Sequence, residues 1–141
     1  MTSKRAYLDH LASVPMLADC SKRELGFIAG VVDEIDVEAG RVLIEEGAIG
    51  KEAFVIVDGR ADVRRNGKKV ARLGPGDHFG ELALLASSER NATVEAATEM
   101  RLLVLGQREF AGVMSEVPTL SRKILSALSG RVRDLDQEAV G

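Results

Sequence analysis

The sequence predicts a mainly β domain with flanking helices, its strands forming a sandwich or barrel. Between about Val31 and Leu105, short runs such as Val42-Leu43-Ile44, Phe54-Val55-Ile56-Val57 and Leu102-Leu103-Val104-Leu105 alternate with turn residues. Many short strands of this kind form layered or closed sheets. Gly40, Gly47, Gly50, Gly59, Asn66-Gly67 and Gly74-Pro75-Gly76 punctuate them, and Asn-Gly in particular suits a two-residue hairpin turn. On both sides of this region the apolar spacing lengthens to that of helices.

At the N-terminus, Tyr7, Leu8 and Leu11 share one helical face and Pro15 ends the segment. Ser21-Lys22-Arg23-Glu24 has capping-box spacing ahead of Leu25, Ile28 and Ala29, which starts a second helix. The strand region follows, interrupted by a short helix over Glu81–Ala86. After Gly106, Phe110, Val113 and Met114 return to helical spacing, and Val117-Pro118 breaks the run with proline suited to the first turn of the next helix. There Leu125, Leu128, Val132 and Leu135 step by three, four and three. That stripe fits either a homodimer seam or a face resting on the β domain.

With 141 residues, 45% hydrophobic and 29% charged, the chain has the size and composition of one soluble domain. A net charge of −3 gives no bulk attraction to nucleic acid or anionic membranes. The basic cluster Arg60, Arg64, Arg65, Lys68 and Lys69 surrounds Asn66-Gly67 and reads as a solvated hairpin tip. One cysteine, Cys20, excludes an internal disulfide and suits a reducing compartment as a small packed residue. Neither a transmembrane-length apolar run nor a signal-like segment after Lys4-Arg5 is present, so a cytoplasmic location without membrane contact is expected. Without a helix-turn-helix pattern, direct DNA binding is not expected.

The chemistry concentrates in His78-Phe79-Gly80-Glu81-Leu82-Ala83-Leu84-Leu85 and Arg90-Asn91-Ala92-Thr93-Val94. A helix starting at Gly80 or Glu81 presents unpaired N–H groups and a positive dipole end to an anion. Arg90 can grip two oxygens of one phosphate or carboxylate. Glu81 would repel a bare anion, but an ionised carboxylate accepts hydrogen bonds from hydroxyls. The combination therefore suits a sugar phosphate. Taken alone, Glu81 also fits a helix-start acid, and Arg90 a surface partner of Glu89 or Glu95.

Phe79-Gly80-Glu81-Leu82-Ala83 through Arg90-Asn91-Ala92-Thr93-Val94 resembles the phosphate-binding cassette of cyclic nucleotide-binding domains, found in protein kinase A regulatory subunits, cyclic-nucleotide-gated channels and catabolite activator proteins. Leu8-Asp9-His10-Leu11-Ala12-Ser13-Val14-Pro15-Met16-Leu17, Glu38-Ala39-Gly40, Glu46-Gly47, Val57-Asp58-Gly59 and Leu73-Gly74-Pro75-Gly76-Asp77 resemble further family landmarks in family order. Glu89 departs from the proline that many members carry before the arginine. The resemblance implies an eight-stranded antiparallel jelly-roll β-barrel: N-terminal helices over 1–30, the jelly roll over 31–105 with its cassette at 79–94, and C-terminal helices over 107–137, all one domain of residues 1–141. It implies that Glu81 holds a ribose 2′-hydroxyl and that Arg90 meets the exocyclic phosphate oxygens. Backbone amides of Leu82, Ala83, Asn91 and Ala92 would complete the phosphate site. Asn91, able to donate and accept, leaves the base open: cyclic AMP is favoured, with cyclic GMP as the alternative. No aromatic residue follows Phe110, so a lid over the base falls to Arg131 or Arg133, unless the base stays half exposed.

An enzyme is not expected. A metal-dependent cupin is the rival jelly roll, yet the only histidines, His10 and His78, lack ligand spacing. No nucleophile-elbow, Walker or zinc motif appears, and no metal is expected. A degenerate interaction domain without ligand is a further alternative, opposed by retention of Glu81 and Arg90. The expected function is a cyclic nucleotide sensor whose C-terminal helices relay binding to an effector protein.

Overall fold

Two short helices lead into the sheets. The structure, a computed structural model, describes residues 4–14, 17–80 and 89–126. The expected Glu81–Ala86 helix, with Leu82 and Ala83, lies outside the described residues, as does the segment carrying Leu128, Arg131, Val132, Arg133 and Leu135. Helix α1 spans Lys4–Ala12, after which the Ser13 hydroxyl donates to the His10 carbonyl at 2.6 Å. Helix α2 spans Lys22–Val31 and opens with the expected capping box. The Glu24 N–H donates to Ser21 Oγ at 3.1 Å, and the Ser21 N–H donates to Glu24 Oε1 at 2.9 Å, satisfying two helix-start donors reciprocally.

Among the described residues, eight strands follow: β1 Asp33–Val37, β2 Val42–Ile44, β3 Glu52–Asp58, β4 Ala61–Arg65, β5 Lys68–Leu73, β6 His78–Phe79, β7 Thr93–Ala96 and β8 Met100–Gly106. They form two antiparallel four-stranded sheets of order β1-β8-β3-β6 and β2-β7-β4-β5. The architecture is mainly β with flanking helices, a jelly-roll-like sandwich. The sheets face one another without closing into one hydrogen-bonded barrel among the described residues. Of the four edge strands, β6 and β2 have only two and three residues.

The two central strands, β8 and β3, explain why their sequences are continuously apolar: both of their faces are buried. Phe54, Ile56, Leu102 and Val104 point between the sheets, where they meet Val94, Ala96 and Ala61. Ala53, Val55, Leu103 and Leu105 point the other way, into a second core with the helices. Strand β4 turns into β5 through Asn66 (φ 54°) and Gly67 (φ 79°), joining Arg65 to its partner Lys68. These paired positive φ values are those of the expected hairpin turn.

Helix α3 spans Gln107–Glu116, with Gly106 at the N-cap position and no side-chain cap bond. Pro118 begins a further helical run over 118–126. Phe110 and Val113 of α3, with Val117, Leu120 and Ile124, pack on Leu11, Leu25 and Ile28 from the N-terminal helices. Polar bonds reinforce this seam. Glu24 accepts from the Thr119 hydroxyl at 3.0 Å and the Thr119 N–H at 3.3 Å, and Lys123 pairs with Asp19 at 3.1 Å. Cys20 packs against the same core, and burial pushes its thiol pKa up.

Candidate functional site

Phe79, Gly80, Arg90, Asn91 and Ala92 converge at the end of β6 and the start of β7. Phe79 pairs in register with Phe54 on β3, their rings stacked with centroids 4.9 Å apart and planes inclined by 14°. That stack fixes the last residue before the chain leaves the sheet at Gly80. Gly80 has φ +90°, a conformation that L side chains rarely adopt. A Cβ there would lie 2.8 Å from the Glu52 carbonyl oxygen and 2.9 Å from Arg90 Nη1. The sequence marked this position as a possible helix start; the structure adds a close approach by the protein's own arginine.

Arg90 is only 6% exposed, which rules out the alternative of a solvated surface arginine. Its Nη1 donates to the Gly80 carbonyl and its Nη2 to the Glu52 carbonyl, each at 2.6 Å. Two backbone oxygens, one on β3 and one just past β6, thus hold both arms of the guanidinium fork. These carbonyls fix the orientation of the guanidinium in a largely desolvated place. Glu95, one of the surface partners considered for Arg90, lies 3.9 Å from Arg64.

The Arg90 backbone is braced as well. Its N–H donates to the Ala48 carbonyl at 2.7 Å, and its carbonyl accepts from the Gly47 N–H at 2.9 Å. Beside it, the Glu46 N–H donates to Thr93 Oγ1 at 3.0 Å. Glu46 Oε1 in turn accepts from the Asn66 N–H at 3.1 Å, and Arg65 Nε donates to the Asn91 carbonyl at 3.2 Å. Ala92 is buried, whereas Asn91 is exposed. Three segments distant in sequence, 46–48, 65–66 and 90–93, therefore lock together.

The contributions of Glu52 and Ala48 are made by backbone atoms, so no residue-type signal marked them in advance, and Gly47 was marked only as a turn glycine and family landmark. Arg65 did carry a signal, the basic hairpin tip, although its expected role was solvation. Glu81, Leu82, Ala83, Arg131 and Arg133 lie outside the described residues. His10 forms a 2.7 Å contact with Glu34, and His78 is buried in β6. Among the described residues, no group of three or more His, Cys, Asp or Glu side chains gathers as a metal would require. Nor is any helix among them long and apolar enough to cross a membrane.

The described residues thus form a helix-flanked jelly-roll sandwich with a buried arginine beside the glycine that follows β6. Residues 34–117 match the family described as cyclic nucleotide-binding domain, and the chain belongs to that family. It is 37% identical over 117 residues to a cAMP-dependent protein kinase regulatory subunit of Schizosaccharomyces pombe, spanning 82% of this chain and 28% of that protein. Among solved structures, cAMP-bound PfPKA-R superposes with a TM-score of 0.79 at 27% identity, covering 96% of this chain and 46% of that one. The regulatory subunit of a cAMP-independent protein kinase A from Trypanosoma brucei gives a TM-score of 0.77 at 28% identity, covering 89% and 45% respectively.

Proposed function

We propose that this chain, taken as a single domain over 1–141, is a cyclic nucleotide sensor without catalytic activity, cytoplasmic, acting on an effector protein. The observation that carries this reading is the buried, carbonyl-braced Arg90, whose charge is held at the exit of β6 where the cassette begins. A pre-aligned guanidinium loses little freedom on binding a phosphate, and so binds it more tightly. The site comprises Phe79, Gly80, Glu81, Leu82, Ala83, Arg90, Asn91 and Ala92, with Glu81 on the ribose hydroxyl. Arg131 or Arg133 caps the base.

Cyclic AMP is the ligand proposed first, in line with the cAMP-dependent and cAMP-bound relatives. The cAMP-independent relative of similar fold makes cyclic GMP and non-cyclic AMP necessary comparisons. Relay is proposed to run through the 118–126 helix, because Thr119 and Lys123 tie it to the N-terminal helices by exposed or half-buried polar bonds. Such bonds contribute little each and exchange readily. The same C-terminal region offers the surface for an effector or for a second copy of the chain.

Calorimetric titration of the wild type, Arg90→Lys and Arg90→Ala tests the site. Arg90→Ala should weaken cyclic AMP by about 2–3 kcal/mol, as for a charge-assisted contact left unmet. Arg90→Lys, which keeps the charge but not the fork, should fall between. Hydrogen exchange over 118–126 should change on ligand saturation. Wild-type affinity in a folded Arg90→Ala protein, or no binding by the wild type, refutes the reading.

A further inference from the structure

We propose that Arg65, at the tip of the β4–β5 hairpin, is a positioning residue for the phosphate site, orienting the Asn91–Ala92 peptide so that the Ala92 N–H faces the anion. This rests on the site proposed above and extends it to a residue outside the cassette. The β4–β7 ladder ends at the pair Arg64↔Thr93. The Asn91–Ala92 peptide therefore lies beyond the last rung, where no sheet bond sets its plane. Arg65 supplies the missing constraint by donating Nε to the Asn91 carbonyl at 3.2 Å. Because a peptide unit is planar, holding its C=O also aims the N–H on its opposite side, here that of Ala92. A cationic donor on the oxygen further polarises the amide and strengthens its N–H as a donor.

Three other basic side chains of the hairpin are engaged differently. Lys69 and Arg72 pair with Asp62 at 3.2 and 2.9 Å, and Arg64 lies 3.9 Å from both Asp62 and Glu95. Arg64 meets the 90–93 segment through its backbone pairing with Thr93, whereas Arg65 meets it through a side-chain hydrogen bond. The hairpin tip that carries it is itself anchored, since the Asn66 N–H bonds Glu46 and the Glu46 N–H bonds Thr93. Ala92 is 4% exposed, and Arg65 braces the Asn91 carbonyl that precedes it.

Affinities of wild type, Arg65→Ala, Arg64→Ala and Arg90→Ala are to be measured for cyclic AMP and its two exocyclic phosphorothioate diastereomers. Arg65→Ala should weaken cyclic AMP by about fivefold, the scale of one modest hydrogen bond. Arg64→Ala, which removes an equal charge from the neighbouring residue, should have less than half that effect. Each diastereomer replaces one exocyclic oxygen by sulfur, a poorer acceptor. The Arg65→Ala penalty should therefore shrink with the diastereomer whose sulfur faces Ala92 and persist with the other. Thermal melting should show Arg65→Ala folded, as expected for an exposed residue at a hairpin tip. Equal losses for Arg64→Ala and Arg65→Ala, equal penalties for both diastereomers, or no penalty at all would overturn the positioning role. If binding still depends on Arg90, only that role falls; if the wild type binds no cyclic nucleotide, the proposed function falls with it.

Discussion

Replacing Gly80 by alanine attacks the two carbonyls that hold Arg90. At φ +90° the substitution forces an L residue into left-handed backbone, which costs about 1–2 kcal/mol. The new Cβ would lie 2.8 Å from the Glu52 carbonyl oxygen, 2.9 Å from Arg90 Nη1 and 3.5 Å from Ala53 Cα. The first of these is backbone within the β3 ladder and cannot swing aside as a side-chain end does. Displacing it adds an overpacking cost of about 1–3 kcal/mol. The total for Gly80→Ala is therefore about 2–5 kcal/mol. Gly40 provides the matched control, since its φ is +91° and nothing lies within 4 Å of its virtual Cβ. Gly40→Ala should lose only the backbone part, about 1–2 kcal/mol. Urea unfolding of the two variants isolates the contact contribution as their difference, provided the denaturant slope is unchanged. Titration should also show weakened nucleotide binding in Gly80→Ala and not in Gly40→Ala. Equal destabilisation of the two would mean that Gly80 is present for its conformation alone and that the Arg90–Glu52–Gly80 arrangement is loose.

Two further expectations concern carboxylates. The Ser21 N–H beside Glu24, with the Thr119 donors adding to it, holds the Glu24 carboxyl below its ordinary value of 4.5. A depressed folded pKa stabilises the fold above the unfolded pKa, and that contribution is lost as pH falls through the folded value. The melting-temperature difference between wild type and Glu24→Gln should thus be greatest near neutrality and shrink below about pH 4.5; a pH-independent difference would show that ionisation is irrelevant there. For Glu81, an Ala substitution should weaken cyclic AMP much more than 2′-deoxy cyclic AMP. A titration cycle of variant against analogue measures this coupling, and equal losses would return Glu81 to the role of a helix-start acid.

Local chemistry determined a good part of this protein in advance. Ser21 and Glu24 cap α2, Asn66-Gly67 turns β4 into β5, and Pro118 opens a helical run, because capping, positive φ and a missing N–H act within a few residues of chain. The apolar runs of β3 and β8 announced strands, and Gly80 and Arg90 were legible as a pair that the fold brings together. What tertiary structure alone decided has a common cause, that it depends on backbone atoms or on edges. Arg90 is held by the carbonyl of Glu52, thirty-eight positions away in sequence, and a carbonyl looks the same in every residue. Which of the described strands pair, and so their division into two sheets, is a matter of long-range registration that periodicity does not encode. Arg65, indistinguishable in sequence from its basic neighbours, is set apart by where the β4–β7 ladder stops: one residue past the last rung, its side chain meets a peptide that the sheet leaves unbraced.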